Sequence, residues 1–491
     1  MTPPVRHMVV RWMAWTALAR VGEDGLHAIG RLILARLLWP EAFGTFTLAI
    51  AVLAGFQLAC TLQLGASLVQ RPVVNSEVLS TAFWSLAVLG MVGAGVLLVL
   101  ARPIGAAVGH PGIVPVLQVM SALLPLGGCS AVPRALIWRE FGFRQLAGLG
   151  VLGEALGTAA AVVAAVFGAG VYAFAVQALV VGVFELVVLW ALVPWRPRPH
   201  WRYREFIELF RFGSPLAGRR VVDYLVSYGD RFLVGYAFGP AVLGLYALAL
   251  RIVKGIAQGI SSIFERVGFP VFARAQGDLE RSRRGFLDAL RIQAALTFPA
   301  VIGAALVAPE LVPLLLGAAW AGAVPLAQIL AARAAAAALQ ALPRAALTGR
   351  GRQWLVFSLS LGAALTMIAG WLAGVPWGAA GVAAGGSAAG LAMVPLSLWI
   401  VRREVPVAAG DCVRALMPGL AGTAAMAIGI GVAAWLMAGG APESAVLRAA
   451  VLVLAGALCY VVPLSPWLAR ERRRYLARFR EPPMRVQDSS L

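Results

Sequence analysis

The chain has 491 residues, of which 60% are apolar and 13% are charged, and it carries 41 Lys and Arg against 22 Asp and Glu. A soluble domain has about 25% charged residues, so this composition excludes an ordinary water-soluble enzyme. A net charge of +19 would suggest a nucleic-acid partner in a soluble protein. In a membrane protein the same excess is typical of cytoplasmic loops, and we expect no nucleic-acid partner.

Long apolar segments follow one another along the chain, separated by turn-forming sequences such as GHPG, FGAG, AFGP and GRGR. A helix that spans a bilayer needs about 20 apolar residues. The pattern predicts an all-α polytopic membrane protein with about 14 transmembrane helices, since the runs lack the short alternation of a membrane β-barrel. The predicted spans are 12–38, 43–65, 78–101, 114–134, 147–168, 170–193, 207–237, 241–265, 286–308, 323–343, 354–374, 376–400, 415–438 and 444–468.

The basic residues predict the orientation of these spans. If the N-terminus is cytoplasmic, thirty Lys and Arg lie on the cytoplasmic side, three lie outside and eight lie within spans. A span missed in mid-chain would exchange the sides of every later loop and destroy this asymmetry. We therefore expect both termini to be cytoplasmic.

An internal repeat is visible, because residues 17–55 align without a gap with residues 217–255. Further along, VPVLQ matches VPLAQ and VPRA matches LPRA at an offset of 210 residues. The repeat predicts two six-helix lobes, 1–205 and 206–410, related by an axis along the membrane normal. Residues 411–491 would add two further helices and a basic cytoplasmic tail. The paired residues include Arg20 with Arg220, Arg31 with Arg231, Pro40 with Pro240 and Gly44 with Gly244.

Eight cations stand inside four predicted spans, where only four acids accompany them. At about 2.5–3.5 kcal/mol each, eight cations facing lipid would cost roughly 20–28 kcal/mol, more than the stability of a typical protein. We therefore expect a polar central cavity that binds an anionic substrate, because guanidinium groups suit phosphate oxygens. Structural ion pairs are the alternative for any single residue. The candidate substrate-binding residues are Arg20, Arg31, Arg219, Arg220, Arg231, Arg251, Lys254 and Arg333.

The acids and one histidine of the two leading helices are candidates for ion coupling, with a proton or sodium as the coupling ion. His27 could titrate near neutral pH or simply donate a hydrogen bond. No Cys/His metal spacing occurs, and no nucleotide-binding or hydrolase motif is present, so we expect no cofactor, no metal and a secondary transporter in place of an enzyme. The coupling candidates are Glu23, Asp24, His27, Asp223 and Asp230.

An ordered set of segments carries a family resemblance: LARLLWPEAFGTFTLAIAV, LGASLVQRP, STAFW, VPRALIWREFGFRQLA, ELFRFGSPLAG and AFGPAVLGLYALALRI. The set resembles the polysaccharide transporter family (oligosaccharide flippases) of the multidrug/oligosaccharidyl-lipid/polysaccharide exporter superfamily, closest to colanic acid and teichuronic acid exporters. The resemblance implies a two-lobed helical fold with alternating access. It implies a polyprenyl-pyrophosphate-linked oligosaccharide as cargo, moved across the bacterial plasma membrane.

Other functions and partners stay open at this point. A cation-coupled multidrug exporter of the same superfamily and a peptidoglycan lipid-precursor flippase are the alternatives, and a channel or scaffold is disfavoured by the mid-span charges. Partners would be the lipid-linked oligosaccharide, membrane lipids and polysaccharide polymerase or assembly proteins. The basic segment 470–480 could bind anionic lipid headgroups or act as a topology signal.

Overall fold

The structure is a computed structural model of the chain. It describes residues 22, 25, 26, 29–71, 74–140, 142–274, 278–438 and 444–479. Within these ranges the side chains at 66, 143, 214–217, 267, 269, 270, 274, 438 and 466–479 are not described.

All regular secondary structure in the described ranges is helical, and no strand occurs there. The all-α prediction is therefore confirmed. The helices are α1 (29–37), α2 (Pro40–Thr61), α3 (Leu64–Gln70), α4 (Ser76–Ala107), α5 (Ile113–Met120), α6 (Leu123–Arg139), α7 (Phe143–Val166), α8 (Tyr172–Leu192), α9 (Tyr203–Arg274), α10 (Leu279–Leu316), α11 (Ala323–Leu339), α12 (Ala341–Gly349), α13 (Gln353–Gly374), α14 (Gly378–Val401), α15 (Ala409–Ala438) and α16 (Ala445–Phe479).

Within the described residues, 11 helices are long and apolar enough to cross a membrane. Two of these segments, Gly218–Ala273 with 56 residues and Gln353–Val401 with 49, are each long enough for two crossings. The first of them is interrupted at Gly239, whose φ of 80° and ψ of 174° lie outside the helical region. Only glycine adopts this conformation at low cost, which explains the break predicted at AFGP. The first predicted span, 12–38, falls mostly outside the described residues, so the count of 14 stays a prediction.

The chain forms two compact units. The first contains the described residues up to Arg251, together with Leu315–Leu330 and Phe357–Gly390. The second contains Ile252–Leu314, Ala331–Val356 and the described residues from Leu391 onward. The lobe boundaries at residues 205 and 410 stay a prediction.

Two segments matched by the internal repeat touch each other in the first unit. A Cβ added to Gly44 would overlap the carbonyl oxygen of Pro240, and a Cβ added to Gly244 would overlap the carbonyl oxygen of Pro40. Both glycines are buried. Gly44 of the first segment packs on Pro240 of the second, and Gly244 of the second packs on Pro40 of the first, so the contact is reciprocal. Small residues allow such close approach between membrane helices.

The second unit ends in the two additional helices α15 and α16. Met426 and Ile430 of α15 form a buried cluster with Leu452 of α16 and Val307 of α10. The hydroxyl of Tyr460 donates a 2.5 Å hydrogen bond to the carbonyl oxygen of a residue on α10. The two helices predicted to follow the repeat are thus present, and both pack on α10.

Candidate functional site

Arg31 and Arg231, which the repeat pairs in sequence, lie close together in the first unit. Arg31 on α1 is half-buried and lies within electrostatic range of Glu154 and Arg231. The Nε atoms of Arg31 and Arg231 are both buried, and neither has a hydrogen-bond partner among the described residues. Leaving a buried donor unsatisfied costs about 1–3 kcal/mol. The pair is therefore suited to an anion that could accept from both guanidinium groups.

Glu154 of α7 lies within electrostatic range of Arg31, and only 4% of its surface is exposed. Its Oε1 atom accepts a 2.7 Å hydrogen bond from Nε2 of Gln177 on α8 and a 3.4 Å contact from the hydroxyl of Thr158. A Cβ added to Gly30 would lie 2.6 Å from Cγ2 of Thr158, so glycine lets α1 approach α7 closely. This close approach brings Arg31 to the buried carboxylate.

Arg231 is positioned by its neighbours on α9. Its guanidinium carbon lies 5.3 Å from the ring centroid of Tyr228, a cation–π contact. The preceding residue, Asp230, is fully buried. One carboxylate oxygen of Asp230 accepts from the main-chain nitrogen of Arg231 at 2.8 Å, and the other accepts from the hydroxyl of Tyr246 at 3.0 Å. Asp230 was expected as a coupling residue, and the structure places it in this hydrogen-bonded setting.

A cavity of about 390 Å³ adjoins this cluster in the first unit. Its walls come from α2, α4, α6 and the first half of α9, and Tyr228 belongs both to the cavity wall and to the Arg231 contact. Arg220 and Asp223, both predicted from the sequence, are the charged residues of this wall. Gln63 also lines the cavity and has a φ of 54°, in the left-handed region that a non-glycine residue rarely adopts. The other wall residues are largely apolar or small.

The remaining predicted cations do not all join this cluster. Arg219 lies 4.0 Å from Asp223 as an exposed i,i+4 ion pair, with half or more of each side chain in solvent. Such a pair contributes little to stability. Arg251 is half-buried on α9 in the first unit. Lys254 and Arg333 belong to the second unit, where Arg333 is buried.

Four predicted residues, Arg20, Glu23, Asp24 and His27, lie outside the described residues. Their proposed roles in binding and coupling therefore stay predictions.

Two acids, Glu154 and Glu185, lie outside the first, seventh, eighth and tenth predicted spans, in which cations outnumber acids. Glu154 lies near Arg31, and Glu185 forms an ion pair with Arg134. Both lie within predicted spans, the fifth and the sixth, so the sequence already identifies them as acids inside the membrane region. Glu154 near Arg31 and Asp230 before Arg231 thus each supply a carboxylate beside one of the two arginines.

The described residues contain one group whose side chains could hold a metal ion, Glu77, His200 and Glu205. These residues lie on α4, on the α8–α9 connection and at the start of α9, and they do not line the cavity.

Comparison with known proteins identifies the family. A family model described as polysaccharide biosynthesis protein matches residues 33–325. The succinoglycan biosynthesis transport protein ExoT of Rhizobium meliloti (strain 1021) is 28% identical over 332 residues, which cover 67% of each chain. The teichuronic acid biosynthesis protein TuaB of Bacillus subtilis (strain 168) is 26% identical over 421 residues, or 82% of this chain and 84% of that protein.

The fold has a counterpart among solved structures. The lipid II flippase MurJ in an inward closed conformation superposes with a TM-score of 0.72 at 12% identity, covering 92% of this chain and 99% of MurJ. At that identity the likeness concerns the fold. The matched family model spans more than half of the chain, and the chain belongs to the polysaccharide biosynthesis protein family.

Proposed function

We propose that this multi-pass membrane protein moves polyprenyl-pyrophosphate-linked oligosaccharides from the inner to the outer leaflet of the bacterial plasma membrane by alternating access. The family membership supports this, together with one relative that is named as a succinoglycan biosynthesis transport protein and another that is named as a teichuronic acid biosynthesis protein. The fold resemblance to a lipid II flippase agrees with a lipid-linked cargo. The chain would act as a transporter and not as an enzyme.

One observation carries the proposal. Arg31 and Arg231 come from matching positions of the repeat and lie close together, with buried Nε atoms that have no hydrogen-bond partner in the described part of the chain. A pyrophosphate presents several anionic oxygens, and a guanidinium group can bind two of them with parallel hydrogen bonds. Two such groups beside each other suit the diphosphate that links an oligosaccharide to its lipid. A pump for cationic drugs would be served poorly by the excess of cations over acids that the sequence places in the first, seventh, eighth and tenth predicted spans.

The test is transport by Arg31→Ala and Arg231→Ala variants in the bacterium that encodes the protein. We expect surface polysaccharide to fall by about tenfold or more, because a hydrogen bond to a charged group contributes about 1.5–3 kcal/mol. The lipid-linked repeat unit should accumulate inside. Arg36→Ala is the matched control, since Arg36 lies on the same helix, is exposed and reaches only the carbonyl oxygen of Leu315 at 3.3 Å. Normal export by the double Arg31→Ala, Arg231→Ala variant would rule out this site.

We also propose that the carrier is coupled to a proton or sodium gradient through Asp223, with Asp24 as the second candidate. Asp223 lines the cavity beside Arg220, so substrate bound to the arginine would change the charge that the carboxylate experiences. Reconstituted protein should move cargo faster under one imposed gradient, and Asp223→Asn should abolish that response. Transport that ignores both gradients would refute coupling while leaving the cargo assignment intact.

The orientation with both termini in the cytoplasm is part of this proposal. It rests on the basic residues of the loops. A single cysteine at position 109 should react with an impermeant reagent from outside, and one at position 280 should not. Labelling of a cysteine at position 280 from outside would show that the cytoplasmic and outer sides are assigned the wrong way round.

A further inference from the structure

Residues 193–202, which connect α8 to α9, are hydrogen-bonded to the N-terminal part of α4. The main-chain nitrogen of Arg198 donates to the hydroxyl of Ser80 at 3.1 Å, and the indole nitrogen of Trp201 donates to the hydroxyl of Ser85 at 2.9 Å. These bonds lie on both sides of residue 200 in the chain. The connection is thus held in a defined place against α4.

His200 projects from this connection toward two carboxylates. Its Nε2 atom lies 3.8 Å from Oε2 of Glu77 on α4 and 4.0 Å from Oε1 of Glu205 at the start of α9. These distances are too long for hydrogen bonds. The Nε2 atom is nevertheless buried and has no hydrogen-bond partner within the ranges that the structure describes. One donor atom from each residue lies within 4.8 Å of the other two.

The two carboxylates are held by further contacts. The second oxygen of Glu205 accepts a 2.6 Å hydrogen bond from the hydroxyl of Thr81, which leaves Oε1 directed toward His200. Metal-binding carboxylates are typically oriented by such hydrogen bonds. Oε2 of Glu77, the oxygen that lies 3.8 Å from His200, accepts a 3.3 Å hydrogen bond from a guanidinium nitrogen of Arg202, whose side chain is 61% exposed and can turn toward solvent. All three side chains of the group are half-buried.

We propose that Glu77, His200 and Glu205 bind one divalent transition-metal ion of the Zn²⁺ type. One imidazole nitrogen with two carboxylate oxygens is a donor set that Zn²⁺ accepts, whereas Ca²⁺ and Mg²⁺ prefer oxygen ligands alone. The gap between Nε2 and the two oxygens would be filled by the ion, which would satisfy the unpartnered nitrogen. Three protein ligands leave a fourth position for water.

The ion would join three parts of the first unit: α4, the α8–α9 connection and the start of α9. The same helix α9 carries Arg220 and Asp223 of the cavity wall further along. The metal would therefore fix the beginning of a helix that lines the cavity. Sequence spacing gave no indication of this site, because Glu77 lies more than a hundred residues before its two partners.

The test is metal binding by the full-length protein, purified in detergent with a histidine-free tag and stripped with a chelator. After addition of ZnCl₂ we expect one bound Zn²⁺ per chain and a higher unfolding temperature, because an ion that binds the folded state stabilises it. MgCl₂ and CaCl₂ should have no such effect. His200→Ala should weaken Zn²⁺ binding at least about tenfold, since loss of even an outer partner of a metal ligand costs that much.

His110→Gln is the matched control, because His110 lies elsewhere in the first unit, 3.3 Å from the hydroxyl of Thr45. It should bind Zn²⁺ as the unmodified protein does. If His200→Ala fails to fold, Glu205→Gln provides a second variant that keeps size and polarity. The proposal is overturned if the unmodified protein binds no Zn²⁺, or if His200→Ala, Glu205→Gln and His110→Gln bind it equally.

Discussion

The hairpins α7–α8 and α13–α14 each contribute the fifth and sixth predicted spans of one half of the repeat, yet they hold their helices together differently. Between α7 and α8 the contact is polar, with Gln177 donating to Glu154 at 2.7 Å. Between α13 and α14 it is made by glycines. A Cβ on Gly374 would overlap the carbonyl oxygen of Gly381, and one on Gly370 that of Gly385.

The difference is that the α7–α8 hairpin contains a buried carboxylate between its helices, whereas the α13–α14 hairpin is closed by glycine. The glycine contact brings two backbones together and leaves no room for a buried acid, as is usual where small residues line a membrane helix interface. The polar contact instead holds a carboxylate at the side of Arg31. The two arginines therefore occupy matching positions of the repeat in different environments, since Arg31 has Glu154 nearby while Arg231 lies over the ring of Tyr228.

The largest effect should come from breaking the glycine contact with Gly374→Val. The added side chain meets a main-chain oxygen that cannot move aside, so we expect destabilisation of about 3 kcal/mol or more, the upper end for overpacking. The measurement is the unfolding temperature in detergent. Gly148→Val on α7 is the control with the same change, because a Cβ there has nothing within 4 Å. Equal unfolding temperatures for the two variants would contradict the close packing.

A smaller effect should follow from Glu154→Gln in the other hairpin. The new amide still offers an oxygen to Gln177, but Arg31 loses a negative neighbour. We expect destabilisation of about 1–3 kcal/mol, less than for a fully buried ion pair because Arg31 is only half-buried. Combining the change with Arg31→Met should cost less than the sum of the single variants. Strict additivity would show that the two residues do not interact.

The smallest effect should come from Tyr228→Leu beside Arg231. Loss of the aromatic ring removes the cation–π contact, which contributes about 0.5–1 kcal/mol at an accessible site. Tyr228→Phe keeps the ring and should unfold close to the temperature of the unmodified protein. The difference in unfolding temperature between these two variants therefore measures the contribution of the aromatic ring. Identical unfolding temperatures for Phe and Leu would mean that the ring does not stabilise Arg231.

Much of the fold could be predicted because hydrophobic runs and glycine-containing turns are local signals. The break at Gly239 was visible in AFGP, and the α15–α16 pair was visible as two apolar segments after the repeat. The pairing of Arg31 with Arg231 was also anticipated in sequence, since both occupy the same repeat position. Their closeness in space follows from the way the two repeated segments meet.

The rest depends on contacts that no local pattern records. Glu154 approaches Arg31 only because Gly30 lets α1 approach Thr158. The buried hydrogen bond that Asp230 accepts from the hydroxyl of Tyr246, sixteen residues further on, was likewise not visible in the sequence, and the coupling role of Asp230 stays a prediction. The site of Glu77 and His200 depends on how the α8–α9 connection folds back on α4. Each of these contacts joins residues that come close to each other only in the folded chain.

The reciprocal contact of Gly44 on Pro240 and of Gly244 on Pro40 has the form of an interface between two identical chains. In such an isologous interface one surface patch binds its own copy across a two-fold axis. A six-helix ancestor that formed a homodimer would have made this contact twice. Gene duplication and fusion would then have converted an intersubunit interface into an intramolecular one. Each half would then have been free to diverge, with Glu154 buried in the hairpin of the first and glycines closing the hairpin of the second.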